Sequence, residues 1–178
     1  MTKFEINRES AELEAQRLIE SEWADRGLPV DPTYIARAIG VKVFEMTFPD
    51  DVSGLLKYFE GGKTPAIFVN SKTSVSRQRF TVAHELGHFV LNARQNPDDG
   101  MLDGDVFYRN GNSSNGTDPV EVFANQFAAE LLMPRRFVQL LVNSKKSDLV
   151  LAADFDVSVA AMNNRLDNLK IKLEKVAG

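Results

Sequence analysis

The sequence predicts an α+β fold, with a small, mainly antiparallel sheet set among helices and a helical, helix-turn-helix-like C-terminal region. Three observations lead there. Apolar residues recur at roughly helical spacing over 8–26, short β-prone runs broken by turn residues fill 41–70, and the chain beyond Pro134 returns to helical spacing. With 178 residues, 43% of them hydrophobic, the chain can close one core, divided here into a main domain (1–132) and a helical region (133–178) expected to pack on it.

Taken in order, Leu13, Leu18, Ile19 and Trp23 form the first helical stripe, and Gly27 stops it. Asp31-Pro32 reads as an N-cap and first-turn proline, opening a short helix that ends near Gly40. Val41 to Phe44, Leu55 to Phe59 and Ala66 to Val69 read as strands, separated by Pro49-Asp50-Asp51 and Gly61-Gly62. Ser74 or Ser76 can cap the next helix, which runs to about Ala93. Residues 94–118 are rich in Asn, Asp, Gly and Ser, with Met101 to Tyr108 as a candidate hairpin; a loop of that length is often a functional lid or disordered. Asp118-Pro119 starts a helix ending before Met133, and Asp156-Val157-Ser158 is the turn and cap between two later helices.

The chain has no cysteine, which removes disulfides, thiolate metal sites and cysteine nucleophiles together, and fits a reducing cytoplasm. Its N-terminus, charged throughout, contains no apolar run long enough for a signal peptide, and no stretch approaches the ~20 apolar residues of a membrane span. A net charge of -4 does not suit general condensation onto nucleic acid. The charge is uneven, with -7 over residues 1–132 and +3 over 133–178.

The chemistry concentrates in His84-Glu85-Leu86-Gly87-His88. Residues four apart on a helix lie ~40° from each other, so both imidazoles can share one ion while Glu85 reaches a water beside it. Val82, Leu86, Phe89 and Ala93 supply an apolar stripe on the other side. The competing account is two ordinary histidines on a half-buried helix, but the chain has only these two and places them four apart with Glu between.

A catalytic zinc takes three protein ligands and keeps a fourth position open. With no other histidine or cysteine, the third ligand must be a carboxylate. Glu121 is the best placed, one turn before Asn125 on the same face, with Ala124 and Ala128 allowing close helix approach. Glu130 lies about 180° round from it and cannot share the ion. Glu121 could instead be a solvated first-turn carboxylate favoured by the helix dipole. Asp98, Asp99, Asp103 and Asp105 are rivals whose spacing does not match a calcium loop.

Arg77 to His88, Glu121 to Asn125 and Phe127 to Pro134 together resemble the ImmA/IrrE family of zinc metallopeptidases, and the likeness extends through Ser53-Gly54, Ile67 to Asn70, Phe155 to Ser158 and Arg165-Leu166. The resemblance implies a zincin-like fold with the HExxH motif on its active-site helix, and Glu121 as third ligand. It also implies a helix-turn-helix repressor or antitoxin as substrate, cleaved to relieve repression in a prophage, stress-response or toxin-antitoxin setting. Asn92 stands where many relatives carry another histidine, and the sensor domain of longer relatives is not expected.

On this reading the metal is zinc, although imidazole and carboxylate also accept manganese, iron or cobalt. Glu85 is the general base, Tyr108 the candidate oxyanion stabiliser, and Asn125 a supporting residue beside the ligands. Ala66 to Asn70 could offer a sheet edge to the substrate. The tail, with Arg165, Lys170 and Lys172 adding positive charge, also fits a DNA-binding helix pair. Two alternatives to the peptidase therefore stand, a DNA-binding regulator with a structural metal site and an adaptor or toxin component that binds a repressor without cutting it.

Overall fold

The computed structural model describes residues 4–59, 64–95, 106–110, 118–144 and 146–173. Helix α1 (Arg8–Glu22) opens on a reciprocal cap in which the Asn7 side chain accepts from the Ser10 N–H and the Ser10 hydroxyl accepts from the Asn7 N–H. Helix α2 (Pro32–Ala38) starts as the sequence predicts. Asp31 accepts from the N–H groups of Thr33 and Tyr34, Pro32 holds the first position, and Gly40 turns the chain at φ +87°.

Strands β1 (Lys42–Met46), β2 (Val52–Phe59), β3 (Thr64–Asn70) and β4 (Val106–Asn110) form one sheet in the order β1-β3-β2-β4. β2 is antiparallel to both neighbours, and β1 runs parallel to β3. The sheet is mainly antiparallel, as expected, but the expected substrate edge is not an edge. Ala66 to Asn70 lies inside the sheet, paired on one side with β1 and on the other with β2. The sequence concealed this because β1 skips its chain neighbour β2 to pair with β3. The outer strands are β1 and β4.

Helix α3 (Val75–Gln95), whose N-terminus the Ser74 hydroxyl caps through the Arg77 N–H, packs on β2 and β3. Helix α4 (Pro119–Leu132), capped by Asp118, lies against both α3 and α1. α3 is therefore enclosed from several sides, and every residue from Thr81 to His88 is buried. The one-sided stripe expected for it holds at Val82 and Leu86 only, since Phe89 is half-buried and Ala93 exposed. A similar correction applies to α1, where Leu13 is 46% exposed and the buried residues Ala11, Ala15 and Ile19 form the core face. Alanines admit the α4 backbone closely where leucines would hold it off.

Two glycines are required by close approach. A Cβ on Gly54 would lie 2.5 Å from the Phe68 carbonyl oxygen and from the Thr81 methyl, and one on Gly87 would lie 3.0 Å from the Ala124 Cα. The first seats α3 on the sheet, and the second seats α4 on α3.

The remaining helices are α5 (Arg135–Val142), α6 (Asp148–Phe155) and α7 (Val159–Asn168). Between the last two, Asp156 takes a left-handed conformation (φ 52°) and Ser158 caps α7 through the Ala161 N–H. Leu151, Phe155, Met162 and Leu166 belong to the same apolar cluster as Ile67, Leu86 and Phe127. Arg165, read from the sequence as a surface charge, is only 1% exposed. It donates to the Met133 carbonyl and pairs with Glu130 and Glu12, spanning α7, α4 and α1. Burial pushes the Glu130 carboxyl up despite Arg165. For Glu12, burial acts in the same upward sense, but Arg135, Arg165 and Gln126 outweigh it and hold the carboxyl below its usual value.

Candidate metal centre

The site is built where α3 and α4 touch. His84 and His88 occupy successive turns of α3, so their rings project from the same face, and their Nε2 atoms lie 3.0 Å apart. From α4, Glu121 brings one carboxylate oxygen to 3.4 Å from His88 Nε2 and the other to 3.9 Å from His84 Nε2. The three side chains form a group able to hold a metal ion, with one donor from each and the donors all within 4.8 Å of one another. Donors bound ~2.0–2.1 Å from a tetrahedral zinc stand about 3.3 Å apart, and the observed separations bracket that value.

Burial is graded across the group. His84 and His88 are 1% and 5% exposed, whereas the Glu121 side chain is 24% exposed. Of the three, Glu121 is the one that solvent reaches. His84 Nδ1 lies 3.0 Å from the Asn125 amide oxygen. With Nδ1–H donating to that oxygen, the Nε2 lone pair is left facing the ligand position, the usual way an outer partner fixes a ligating imidazole. Glu121 and Asn125 thus address His88 and His84 from consecutive turns of one helix, an arrangement that needs the close contact at Gly87.

Glu85, next to His84 on α3, is fully buried. Glu130 is turned away from the group and committed to Arg165, as its angular position on α4 predicts. Tyr108 lies on β4 with its backbone opposite Leu55, and its side chain lies outside the described residues. Asp98, Asp99, Asp103 and Asp105, with the first part of the expected hairpin, also lie outside them. Sequence reasoning did not single out Phe80, whose ring centroid is 6.0 Å from that of His84. Its position four residues before His84 was the available signal.

Comparison with known proteins gives the family and the fold. The Peptidase_M78 family model, described as the IrrE N-terminal-like domain, matches residues 36–167. A protein of Bacillus phage phi105, "Uncharacterized immunity region protein 2", is 30% identical over 115 residues, covering 65% of this chain and 66% of that protein. A solved structure of a Mycobacterium tuberculosis transcriptional regulator superposes with a TM-score of 0.60 at 19% identity, covering 89% of this chain. This chain spans 46% of that structure, so the likeness is one of fold.

Proposed function

The chain belongs to the peptidase family of the IrrE N-terminal-like domain, and from that premise we propose that it is a zinc-dependent endopeptidase that cleaves a helix-turn-helix repressor or antitoxin to relieve repression. The observation that carries the reading is the convergence of His84, His88 and Glu121 on one point beside the buried Glu85. The repressor as substrate rests on the family resemblance, and the immunity region in the phage relative's name fits it.

His84, His88 and Glu121 would hold the ion, which when bound supplies Lewis-acid polarisation of the scissile carbonyl and eases ionisation of water. Asn125 holds His84 in the tautomer that ligation requires. Glu85 accepts the proton of the attacking water and returns it to the leaving amine. Tyr108 is assigned to the developing oxyanion, a role that a donor from the strand beside β2 would fill.

We place this activity in a reducing cytoplasm. Cysteine is absent, and among the described residues no helix is long and apolar enough to cross a membrane. The burial of Arg165 favours the peptidase over the DNA-binding alternative, because it withdraws a cation that a recognition helix would present.

The test is incubation of the purified chain with candidate helix-turn-helix repressors from the same genome, with and without EDTA. Zinc-dependent cleavage is expected, and Glu85→Gln should retain zinc yet lose cleavage. Cleavage that survives EDTA, or a fully active Glu85→Gln variant, refutes the mechanism.

A further inference from the structure

The face of α3 that carries the histidines continues past them. Arg77, Phe80, His84 and His88 fall within an arc of about 80° at 100° per residue, so they form one stripe running toward the N-terminus of α3. Beyond His84 the stripe enters a cleft of about 410 Å³. Half-buried Phe80 and exposed Arg77 line it, together with Leu132 and Met133 from the end of α4. Opposite them is the first turn of α7, including Ala160 and Ala161.

We propose that this cleft is a substrate subsite that seats a large apolar side chain, and that Arg77 pairs with an acidic residue next to it on the side away from the scissile bond. The inference rests on the peptidase reading and adds which residues select the substrate. Spacing supports it. Phe80 is four residues from His84, about 6 Å along the helix, and Arg77 is seven, about 10 Å. An extended peptide advances ~3.3 Å per residue, so in one laid along α3 the side chains two and three positions beyond the residue level with His84 come level with Phe80 and Arg77.

Charge supports it too. Among the described residues Arg77 forms no ion pair, and its guanidinium bonds the Ser53 hydroxyl and lies over the Phe80 ring. A substrate carboxylate arriving there meets a cation already oriented and not neutralised.

The far wall is held in place. Arg79 donates to the backbone carbonyls of Val30 and Asp156 and pairs with the Asp156 carboxylate, fixing the α6–α7 turn against α3. Arg165 holds the body of α7 to α4. In a DNA-reading helix pair the N-terminal part of the second helix meets the base edges. Here that part faces Phe80 and Arg77 across the cleft, so the C-terminal helices serve the protease site as a wall.

The test uses the full zinc-loaded chain carrying Glu85→Gln, so that peptides are bound and not cut. A pool of octapeptides with randomised central positions is incubated with it, and the retained peptides are sequenced by mass spectrometry. Peptides with Phe, Leu or Met directly beside Asp or Glu should be enriched by tenfold or more. Adding Arg77→Glu should exchange the acidic preference for Lys or Arg. Adding Ala160→Trp, at an exposed position, should shift the apolar preference to Ala or Gly with zinc content unchanged. Equal retention of all peptides, or one profile shared by all three proteins, overturns the subsite. The selected peptide is then offered to the chain with Glu85 intact. Failure to cleave it refutes the peptidase reading while the binding preference, and with it the subsite, stands.

Discussion

Replacing Arg165 by methionine tests how the C-terminal helices are held to the rest of the chain. The Arg165 side chain is fully buried and its main partner, Glu130, is 1% exposed. Methionine fills much of the same volume but removes the charge. Glu130 would keep the Gln16 amide and the Arg135 N–H as donors, and Glu12 would keep Arg135 and Gln126. Among the described residues, no cation would remain paired with the Glu130 carboxylate. Leaving one member of a buried pair without its partner costs ~3–5 kcal/mol. For a chain of 178 residues the unfolding entropy near the midpoint is about 0.4 kcal/mol/K, so Arg165→Met should lower Tm by about 8–13 °C in a calorimetric melt. The double variant Arg165→Met/Glu130→Leu should recover most of that loss, because it removes the unpaired charge as well. A single variant melting within about 2 °C of wild type, or a coupling energy below about 1 kcal/mol in the cycle, refutes the reasoning.

Four further outcomes are expected. Gly87→Val forces a branched side chain into a space where even a Cβ lies 3.0 Å from the Ala124 Cα and 3.2 Å from the Phe127 ring; it should cost ~1–3 kcal/mol by urea titration and weaken zinc binding, because it moves Glu121 away from the histidines. Asn125→Ala should reduce zinc affinity ~10–100-fold in a chelator competition while leaving the fold intact by circular dichroism, since it releases the His84 tautomer. Glu12, with its folded pKa below the usual 4.5, contributes stability that is present above that value and lost as pH falls below it, so Glu12→Gln should lose less stability than wild type between pH 6 and pH 3 in urea melts. Glu130 carries the opposite sign. Its raised pKa makes its contribution fall as pH climbs above 4.5, and Glu130→Gln should flatten that decline.

The nearness of the two histidines was legible because its information is local. His84, Glu85 and His88 share one helix, so their spacing alone sets their mutual geometry. Glu121 came by elimination in a chain without cysteine or a third histidine, and the small residues of α4 announced a close helix contact. The sheet order was not legible, because a parallel partner that skips its chain neighbour leaves no periodicity to read. β1 and β3 look alike in sequence, yet β1 is an outer strand and β3 an inner one.

Arg165 marks the limit of reading charge from composition. In the sequence it is one of three cations in a mildly basic tail, and a basic helix after a short turn suggests a nucleic-acid surface. Its burial depends on two carboxylates more than thirty and more than one hundred and fifty residues away, Glu130 and Glu12, neither of which a local pattern connects to it. Both lie on helices that pack around the metal group's own scaffold, α4 directly and α1 against it. The positive charge of the tail is therefore spent partly inside the molecule, holding α7 where its first turn can face Phe80 and Arg77. A surface prepared for DNA would leave that arginine in solvent; a wall for a peptide cleft needs it buried.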